Sequence, residues 1–258
     1  MLVVYKPLGW TPNQLINHIK SNYSEYSHVK MSFAGRLDPM AHGLMILLIG
    51  DECKLQDQYI CKWKTYKSKI LLDVTTDTFD ILGIPTLSNH SNILPNENDI
   101  NSCIQTFVGS SRQQFPNYSS ICVKSDITGE RMPLWKWTKE NKLDFINIPD
   151  KEITINHIHI HDITSISSKD LLDIIESNIN KLSDDADFRQ KEILDKWNIL
   201  LKDNNKIWTI IDIESLVSSG TYIRSLSNEI GTRLNTGGIA LDINRVKIDD
   251  IDKTNFII

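Results

Sequence analysis

Apolar residues in this chain occur only in short stretches, and the longest uninterrupted one covers residues 44–49. A membrane-spanning helix needs about 18 or more consecutive apolar residues. The pattern therefore excludes such a helix and predicts no membrane partner. The N-terminal residues carry neither a charged leader nor a long apolar stretch. We therefore expect a cytoplasmic protein, or an organellar one if a leader has been removed.

The short apolar stretches fit two periodicities, which separate predicted strands from predicted helices. Apolar residues that alternate with polar ones, as at 65–74 and 153–166, predict strands, whereas a spacing of three or four predicts helices. Residues 41–49 fit a strand or a buried helix. The other predicted elements are strands at 2–5, 119–123, 207–217 and 239–248, helices at 12–22, 98–108 and 222–234, and a polar loop at 86–98. Strand-rich and helical parts in this order predict one α+β domain, 1–258, built on a mixed sheet.

Charge is distributed unevenly along the chain. The formal net charge of −5 argues weakly against a nucleic-acid partner, but residues 1–72 and 112–142 carry net charges of +4 and +3. Residues 143–215 carry −7 and include 168–205, where helical spacing amid acidic side chains predicts two surface helices. A polyanion could bind one face of such a protein while another face repels it, although charge alone fits an ordinary mixed surface better.

The four cysteines, at 53, 61, 103 and 122, form no Cys-x-x-Cys pair. Their spacing supports neither a zinc site nor a disulfide framework. We expect four reduced and mostly buried thiols. The sequence signals no metal and no organic cofactor.

Three short motifs place reactive side chains beside glycines or at the start of a predicted element. Asp38 lies between glycines and a proline ahead of 41–49, a position that suits a functional carboxylate or an ordinary turn residue. Tyr66 lies at the start of a predicted strand, where tyrosine usually packs. Arg224 falls in the first turn of the predicted helix 222–234, where the helix dipole disfavours a cation, so a specific anionic partner is predicted. Each motif alone is a weak signal.

Taken together and in order, the motifs resemble those of the TruB-type tRNA pseudouridine synthases. The resemblance extends over about two thirds of the chain. Its blocks are Lys6-Pro7-x-Gly9-x-Thr11, Gly35-x-Leu37-Asp38-Pro39-Met40-Ala41-x-Gly43, Lys64-Thr65-Tyr66, Thr76-Asp77-Thr78-x-Asp80-x-x-Gly83, Gln114-x-Pro116-x-Tyr118-Ser119 and Ser219-Gly220-Thr221-Tyr222-Ile223-Arg224-Ser225-Leu226. The resemblance implies the pseudouridine synthase catalytic fold, with a mixed, mostly antiparallel sheet flanked by helices and loops.

The resemblance also implies an enzyme that isomerises a uridine of RNA, namely uridine 55 in the T-arm loop of tRNA. Such an enzyme flips the target base out of the folded RNA into a pocket, and it needs no cofactor. Asp38 then corresponds to the catalytic carboxylate, Tyr66 to the tyrosine that stacks on the flipped base, and Arg224 to the arginine that pairs with the carboxylate. Such a pairing keeps a desolvated carboxylate ionised.

Further residues correspond to positions that bind the substrate in the family. They are Phe33, Gly35, Arg36, Lys64, Tyr118, Tyr222, Ile243 and Arg245. The segment 112–140 resembles the family's RNA-contacting insertion. Its basic side chains would bind phosphates, and they are Arg112, Lys124, Arg131, Lys136 and Lys139. Trp135 and Trp137 fit stacking on unpaired bases and core packing equally well.

The sequence also departs from the family pattern. Phe33 stands where the family usually has a histidine, and Arg36 where it usually has a small residue. Arg36 could contact a phosphate, compete with Arg224 for Asp38, or be an exposed, salt-bridged arginine. The last motif, which includes Arg245, is degraded, and we expect no C-terminal PUA domain.

The acidic helical insertion at 168–205 would repel phosphates. We therefore expect it to face away from the RNA or to bind a protein partner. These departures leave open an alternative, in which the protein is a catalytically weak or inactive RNA-binding or RNA-folding factor within a ribonucleoprotein assembly. The presence of Asp38, Tyr66 and Arg224 together favours the enzyme.

Overall fold

The computed structural model describes residues 1–88, 95–183, 187–202 and 205–256. Parts of two predicted segments, 86–98 and 168–205, lie outside the described residues. The strands are β1 (Leu2–Lys6), β2 (Met31–Ala34), β3 (Ala41–Ile49), β4 (Lys64–Leu72), β5 (Val74–Thr76), β6 (Pro85–Leu87), β7 (Gly109–Gln114), β8 (Cys122–Lys124), β9 (Arg131–Pro133), β10 (Asp150–Ser167), β11 (Ile207–Val217) and β12 (Gly238–Ile248). The α-helices are α1 (Pro12–Asn22), α2 (Gln56–Ile60), α3 (Glu97–Gln105), α4 (Leu134–Lys139), α5 (Ser168–Ile179), α6 (Gln190–Leu200) and α7 (Ile223–Arg233), and short 3-10 helices lie at Ser24–Tyr26, Gly50–Leu55 and Leu143–Phe145. Among the described residues, no helix combines the length and apolar character that crossing a membrane requires.

Eight strands form one sheet, in the order β1-β3-β12-β4-β11-β10-β7, with β2 also beside β3. Neighbouring strands run antiparallel except β3 and β12, which are parallel. The pairs β5–β6 and β8–β9 form separate two-stranded sheets. The predicted α+β class and the mixed, mostly antiparallel sheet are confirmed.

Strand β3 changes neighbours along its length, and this change positions the motif that contains Asp38. Its first residues pair with β12, where Ala41 lies opposite Ile243, whereas its last residues pair with β2. Residues 35–40 form the loop that joins β2 to β3. This loop therefore lies between the part of β3 that pairs with β2 and the part that pairs with β12. This loop carries Asp38.

The alternation along β4 decides which side chains reach the interior. Tyr66, Ser68 and Ile70 are buried, while Lys67 and Lys69 between them are exposed. Successive strand residues point to opposite faces of a sheet, so Tyr66 lies on the buried face. This face packs against α3 and α7 in a largely aliphatic core.

The two helices of the acidic insertion are packed parts of the domain. The hydroxyl of Ser167 accepts a hydrogen bond from the N–H of Asp170 at 3.1 Å and so caps the start of α5. Trp197 of α6 is fully buried, and its indole N–H donates to the carbonyl of Ile81 at 3.1 Å. It packs with Ile175 of α5 in a second core cluster. The predicted pair of amphipathic helices is confirmed.

Most predicted elements lie within a few residues of the observed ones, and residues 41–49 form a strand. The predicted strand at 119–123 is wrong in its first part, because Ser119 donates its N–H to the carbonyl of Pro116 in a turn at 2.9 Å. The expectation of mostly buried cysteines is also wrong. Cys61 and Cys122 are exposed, and the other two are partly exposed.

Candidate active site

The loop that carries Asp38 is held by two backbone hydrogen bonds in its second half. Gly35 adopts a φ of +81°, which lets the chain turn away from β2. The carbonyl of Asp38 accepts the N–H of Ala41 at 3.0 Å, and the carbonyl of Pro39 accepts the N–H of Gly9 at 2.9 Å. The loop therefore fixes the backbone of Asp38, whose side chain keeps 27% of its surface exposed.

Arg224, the second residue of α7, is almost fully buried and faces Asp38. Its Nε lies 2.8 Å from Oδ2 of Asp38. Its two terminal nitrogens donate to the carbonyls of Thr78, at 2.7 Å, and Tyr118, at 3.1 Å. The anion that its position in the first helical turn predicts is therefore a carboxylate of the protein itself.

A second carboxylate, Asp80, lies buried near the same guanidinium. Its Oδ1 accepts the hydroxyl of Thr78 at 2.7 Å and the N–H of Leu82 at 3.0 Å. Burial raises the pKa of the Asp80 carboxyl to about 6, although the positive charge of Arg224 opposes this rise. Asp80 occurs in the fourth motif block, but the sequence alone assigned it no role.

Tyr66 is linked to the Asp38 loop by a buried arginine, Arg245, which lies opposite it on β12. The guanidinium of Arg245 donates to the hydroxyl of Tyr66 at 3.4 Å, to the carbonyl of Gly35 at 2.9 Å and to the carbonyl of Leu44 at 2.6 Å. Arg245 was predicted to bind substrate. In this structure it contacts the protein groups that frame the site, which favours a positioning role.

These residues surround a cavity of about 320 Å³. Ten of the eleven predicted site residues line it, namely Phe33, Gly35, Arg36, Asp38, Lys64, Tyr66, Tyr222, Arg224, Ile243 and Arg245. Tyr118 is the exception, and its contact with the group is the hydrogen bond that its backbone carbonyl accepts from Arg224. Its ring lies 4.9 Å from the guanidinium of Arg189, on the far side of the loop.

The cavity wall is rich in positive charge. Lys64 donates to the carbonyls of Ile60 and Lys62 at 2.5 and 2.6 Å, and burial, with the nearby charge of Arg245, lowers its pKa to about 8. Lys151, which sequence reasoning missed, also lines the cavity and donates to the carbonyl of Ser219 at 2.9 Å. A wall of this kind suits an anionic ligand.

Tyr222, at the start of α7, is fixed by a residue from a distant strand. The side chain of Gln113 on β7 accepts the N–H of Tyr222 at 2.8 Å and donates to its carbonyl at 3.3 Å. Burial, and then the negative charge of Asp38, raise the pKa of the Tyr222 hydroxyl. Gln113 lies in none of the motifs, so only the fold shows that it contacts Tyr222.

The two departures from the family pattern lie side by side. The guanidinium of Arg36 is 5.3 Å from the ring centroid of Phe33 and donates to the hydroxyl of Ser120 at 2.9 Å. The ion pair of Asp38 is formed with Arg224. In this structure Arg36 therefore does not compete with Arg224 for Asp38.

The basic residues of 112–140 fall into two groups. Three form ion pairs with carboxylates, namely Arg112 with Asp150, Lys136 with Glu140 at 3.7 Å, and Lys139 with Asp187 at 2.5 Å. Lys124 and Arg131 lie opposite each other on β8 and β9, and neither forms an ion pair within the described part of the chain. These two are therefore better placed for a phosphate.

The two tryptophans of this segment have different environments. Trp137 is fully buried, and its indole N–H donates to the carbonyls of Val123 and Met132, both at 3.1 Å. It is a core residue, so stacking on RNA is excluded for it. Trp135 is 41% exposed.

A second cavity, of about 430 Å³, lies on the other side of the Asp38 loop. It shares Arg36, Asp38 and Arg224 with the first, and Trp135 lines it. Residues 187–189, between α5 and α6, form part of its wall. The acidic insertion therefore lines a cavity that includes Asp38 and Arg224. We had expected the insertion to face away from the RNA or to bind a protein partner.

The chain matches known proteins over almost its whole length. Residues 23–176 match the family model described as TruB family pseudouridylate synthase (N terminal domain). The protein named tRNA pseudouridine synthase B of Prochlorococcus marinus is 29% identical over 98% of this chain and 67% of its own. Its namesake of Thermosipho melanesiensis is 30% identical over 97% of this chain and 64% of its own.

Among solved structures, a chain in the crystal structure of a Cbf5-Nop10-Gar1 complex superposes on all of this chain with a TM-score of 0.58 and 15% identity. The present chain spans about half the length of that one, 51%. At this identity the likeness concerns the fold alone. It agrees with the fold that the motifs implied.

Proposed function

Because this chain belongs to the TruB family of pseudouridylate synthases, we propose that it isomerises a uridine of transfer RNA to pseudouridine, and that the target is uridine 55 in the T-arm loop. The observation that carries the proposal is the ion pair between Asp38 and Arg224 at a cavity that Tyr66 also lines. Relatives named tRNA pseudouridine synthase B support the choice of transfer RNA.

The reaction rearranges one nucleotide without a co-reactant. The bond between C1′ of the ribose and N1 of the uracil breaks, the base turns, and a bond forms between C1′ and C5. C5 loses its proton and N1 gains one, so atoms and electrons balance. Because folded RNA hides these atoms, the nucleotide must leave the stack, and the cavity of about 320 Å³ would receive it.

Asp38 acts at the ribose or the base, either as a nucleophile or as a general base. Both roles require a negatively charged carboxylate. The guanidinium of Arg224 supplies the compensating charge at 2.8 Å and fixes the direction of the carboxylate. Because Arg224 is also bound to two backbone carbonyls, the pair is preorganised before RNA binds.

Tyr66 and Ile243 provide apolar walls for the uracil. Both are buried and line the same cavity, and aromatic side chains stack readily on unpaired bases. The hydrogen bond from Arg245 holds the hydroxyl of Tyr66 toward the loop of Asp38. In this proposal the ring stacks on the uracil while the base turns.

The first test is release of tritium from C5-labelled uridine in an unmodified tRNA transcript. Wild type should release it, and Asp38→Asn should not, although its RNA affinity should stay nearly unchanged. Asp51→Asn is a matched control, because Asp51 is exposed and paired with Lys54 away from both cavities. A transcript with cytidine at position 55 should release no tritium.

Each other outcome has a definite meaning. Release from the cytidine transcript would place the modified uridine elsewhere in the RNA. Tight binding by wild type without release would refute the enzyme and favour the RNA-folding factor. A large loss of affinity in Asp38→Asn would refute the catalytic role of Asp38.

A further inference from the structure

We propose that Gln113 is a positioning residue for the reaction, because its side chain holds the start of α7 where Arg224 can pair with Asp38. This inference rests on the proposed function. Gln113 lies on β7 and is 3% exposed, so it is closed off from RNA and acts through other protein groups. Its side-chain amide accepts the N–H of Tyr222 at 2.8 Å and donates to the carbonyl of Tyr222 at 3.3 Å.

Helix α7 begins without a capping side chain of its own. Tyr222, the residue before the helix, makes no side-chain capping hydrogen bond. Its carbonyl accepts the N–H of Leu226 at 3.0 Å, which is a hydrogen bond of the first helical turn. Gln113 binds both polar groups of the Tyr222 backbone. A side chain from another strand therefore fixes the helix start, a task that the capping residue itself usually performs.

The position of the helix start sets the geometry of the ion pair. Arg224 is the second residue of α7, and its Nε lies 2.8 Å from Oδ2 of Asp38. A side-chain contact of about 3.6 Å is no longer a hydrogen bond. A shift of the helix start by about 1 Å would therefore break this bond, and a misplacement of that size can slow an enzymatic reaction by about 100-fold.

The stretch of chain that carries Gln113 also holds the guanidinium of Arg224. This guanidinium donates to the carbonyl of Tyr118 at 3.1 Å. The ring of Phe115 packs edge-on against the ring of Tyr222, with 5.8 Å between the centroids. Residues 113–118 therefore contact both the helix start and the side chain that pairs with the carboxylate.

The test measures single-turnover release of tritium from a C5-labelled tRNA transcript at saturating enzyme, together with the dissociation constant for the same RNA. Gln113→Met keeps a side chain of similar length but loses both hydrogen bonds. It should lower the rate constant by roughly 10- to 100-fold and leave the dissociation constant nearly unchanged. A loss of stability alone gives a different result, because it lowers the concentration of folded enzyme and leaves the rate constant at saturation unchanged.

Gln113→Glu adds a readout that depends on pH, and it serves as the second variant should methionine prevent folding. An ionised carboxylate accepts the N–H of Tyr222 but cannot donate to its carbonyl, whereas a protonated carboxyl does both, as glutamine does. Burial raises the pKa of such a carboxyl. The rate constant, divided by that of wild type at the same pH, should therefore be low at pH 8 and recover by roughly threefold or more at about pH 6.

Gln105→Glu is the matched control. The side chain of Gln105 also donates to a backbone carbonyl, that of Ile158 at 3.3 Å. It is exposed and lines neither cavity. This variant should have the wild-type rate constant at both pH values.

A wild-type rate constant in Gln113→Met would overturn the inference. It would also be overturned by a loss of RNA affinity that accounts for the whole effect, or by a deficit of Gln113→Glu that is equal at both pH values. If wild type releases tritium and the two Gln113 variants release it at the same rate, this inference fails and the proposed function stands. If wild type releases none, both fail.

Discussion

Replacing Arg224 by alanine should destabilise the protein more at pH 8 than at pH 5. Arg224 is 2% exposed, and its guanidinium neutralises Asp38 at 2.8 Å and acts on the buried Asp80. It also donates to two backbone carbonyls at 2.7 and 3.1 Å. Alanine would leave Asp38 and the two carbonyls without this donor, and the buried Asp80 without the nearby positive charge.

The size of the effect depends on the ionisation of Asp80. Removal of one member of a buried ion pair costs about 3–5 kcal/mol of unfolding free energy. Burial raises the pKa of Asp80 in the folded protein to about 6, against about 3.9 in an unfolded chain. Ionised Asp80 therefore opposes folding above about pH 6, and this opposition disappears as the pH falls below about 4.

Arg224 offsets that opposition only where Asp80 is charged. At pH 8 we therefore expect Arg224→Ala to lower the unfolding free energy by about 3–5 kcal/mol. At pH 5 we expect the loss to be smaller by at least about 1 kcal/mol. Urea denaturation at the two pH values measures both losses. Arg233→Ala is the matched control, because this arginine lies on the same helix, is exposed, and donates to the hydroxyl of Thr106 at 2.7 Å. It should lose about 1 kcal/mol or less at either pH.

A second substitution completes the test. In the Arg224→Ala background, Asp80→Asn should remove the part of the loss that depends on pH, because the carboxylate that needed the charge is gone. If the loss is the same at both pH values, and Asp80→Asn does not change it, then the charge of Arg224 does not stabilise Asp80. The reasoning about this buried pair would then be wrong.

Three further changes test other parts of the structure. Gly43→Ala should lower the unfolding free energy by roughly 3 kcal/mol or more in thermal denaturation, because the glycine has a φ of +112° and a Cβ would lie 2.4 Å from a carbonyl oxygen of β12. Asp187→Asn should strengthen RNA binding severalfold in an anisotropy titration, because it frees Lys139 from its ion pair, and an unchanged Kd would contradict this. Replacing both Lys124 and Arg131 by alanine should reduce the slope of log Kd against log salt by about 1–2, and an unchanged slope would place the RNA elsewhere.

The core of the candidate site could be predicted because its parts lie in short local motifs whose order resembles that of a known family. Asp38, Tyr66 and Arg224 each lie in a short motif at the start or end of an element, and the motifs occur in one order. The position of Arg224 in a first helical turn predicted an anionic partner. Only the fold, which pairs residues 186 positions apart, shows that this anion is Asp38.

The rest of the site depends on contacts between distant segments, which periodicity does not encode. Gln113 comes from β7, at the edge of the sheet, yet it fixes the backbone of Tyr222. Lys151 reaches the first cavity from β10. The local charge of the 168–205 insertion predicted repulsion from RNA, but the sequence could not show that Arg189 contacts Tyr118 in the wall of the second cavity.

The degraded last motif is explained by the contacts of the one arginine that it retains. Arg245 is 1% exposed, and its guanidinium bonds to the carbonyls of Gly35 and Leu44 and to the hydroxyl of Tyr66. Its neighbours Asn244 and Val246 are only partly buried, because adjacent strand residues point to the opposite face. Changes at those positions therefore leave the frame of the cavity intact. The poor match of this motif gives no physical reason to prefer the inactive alternative, since the side chain that links the Asp38 loop to Tyr66 is present and bonded.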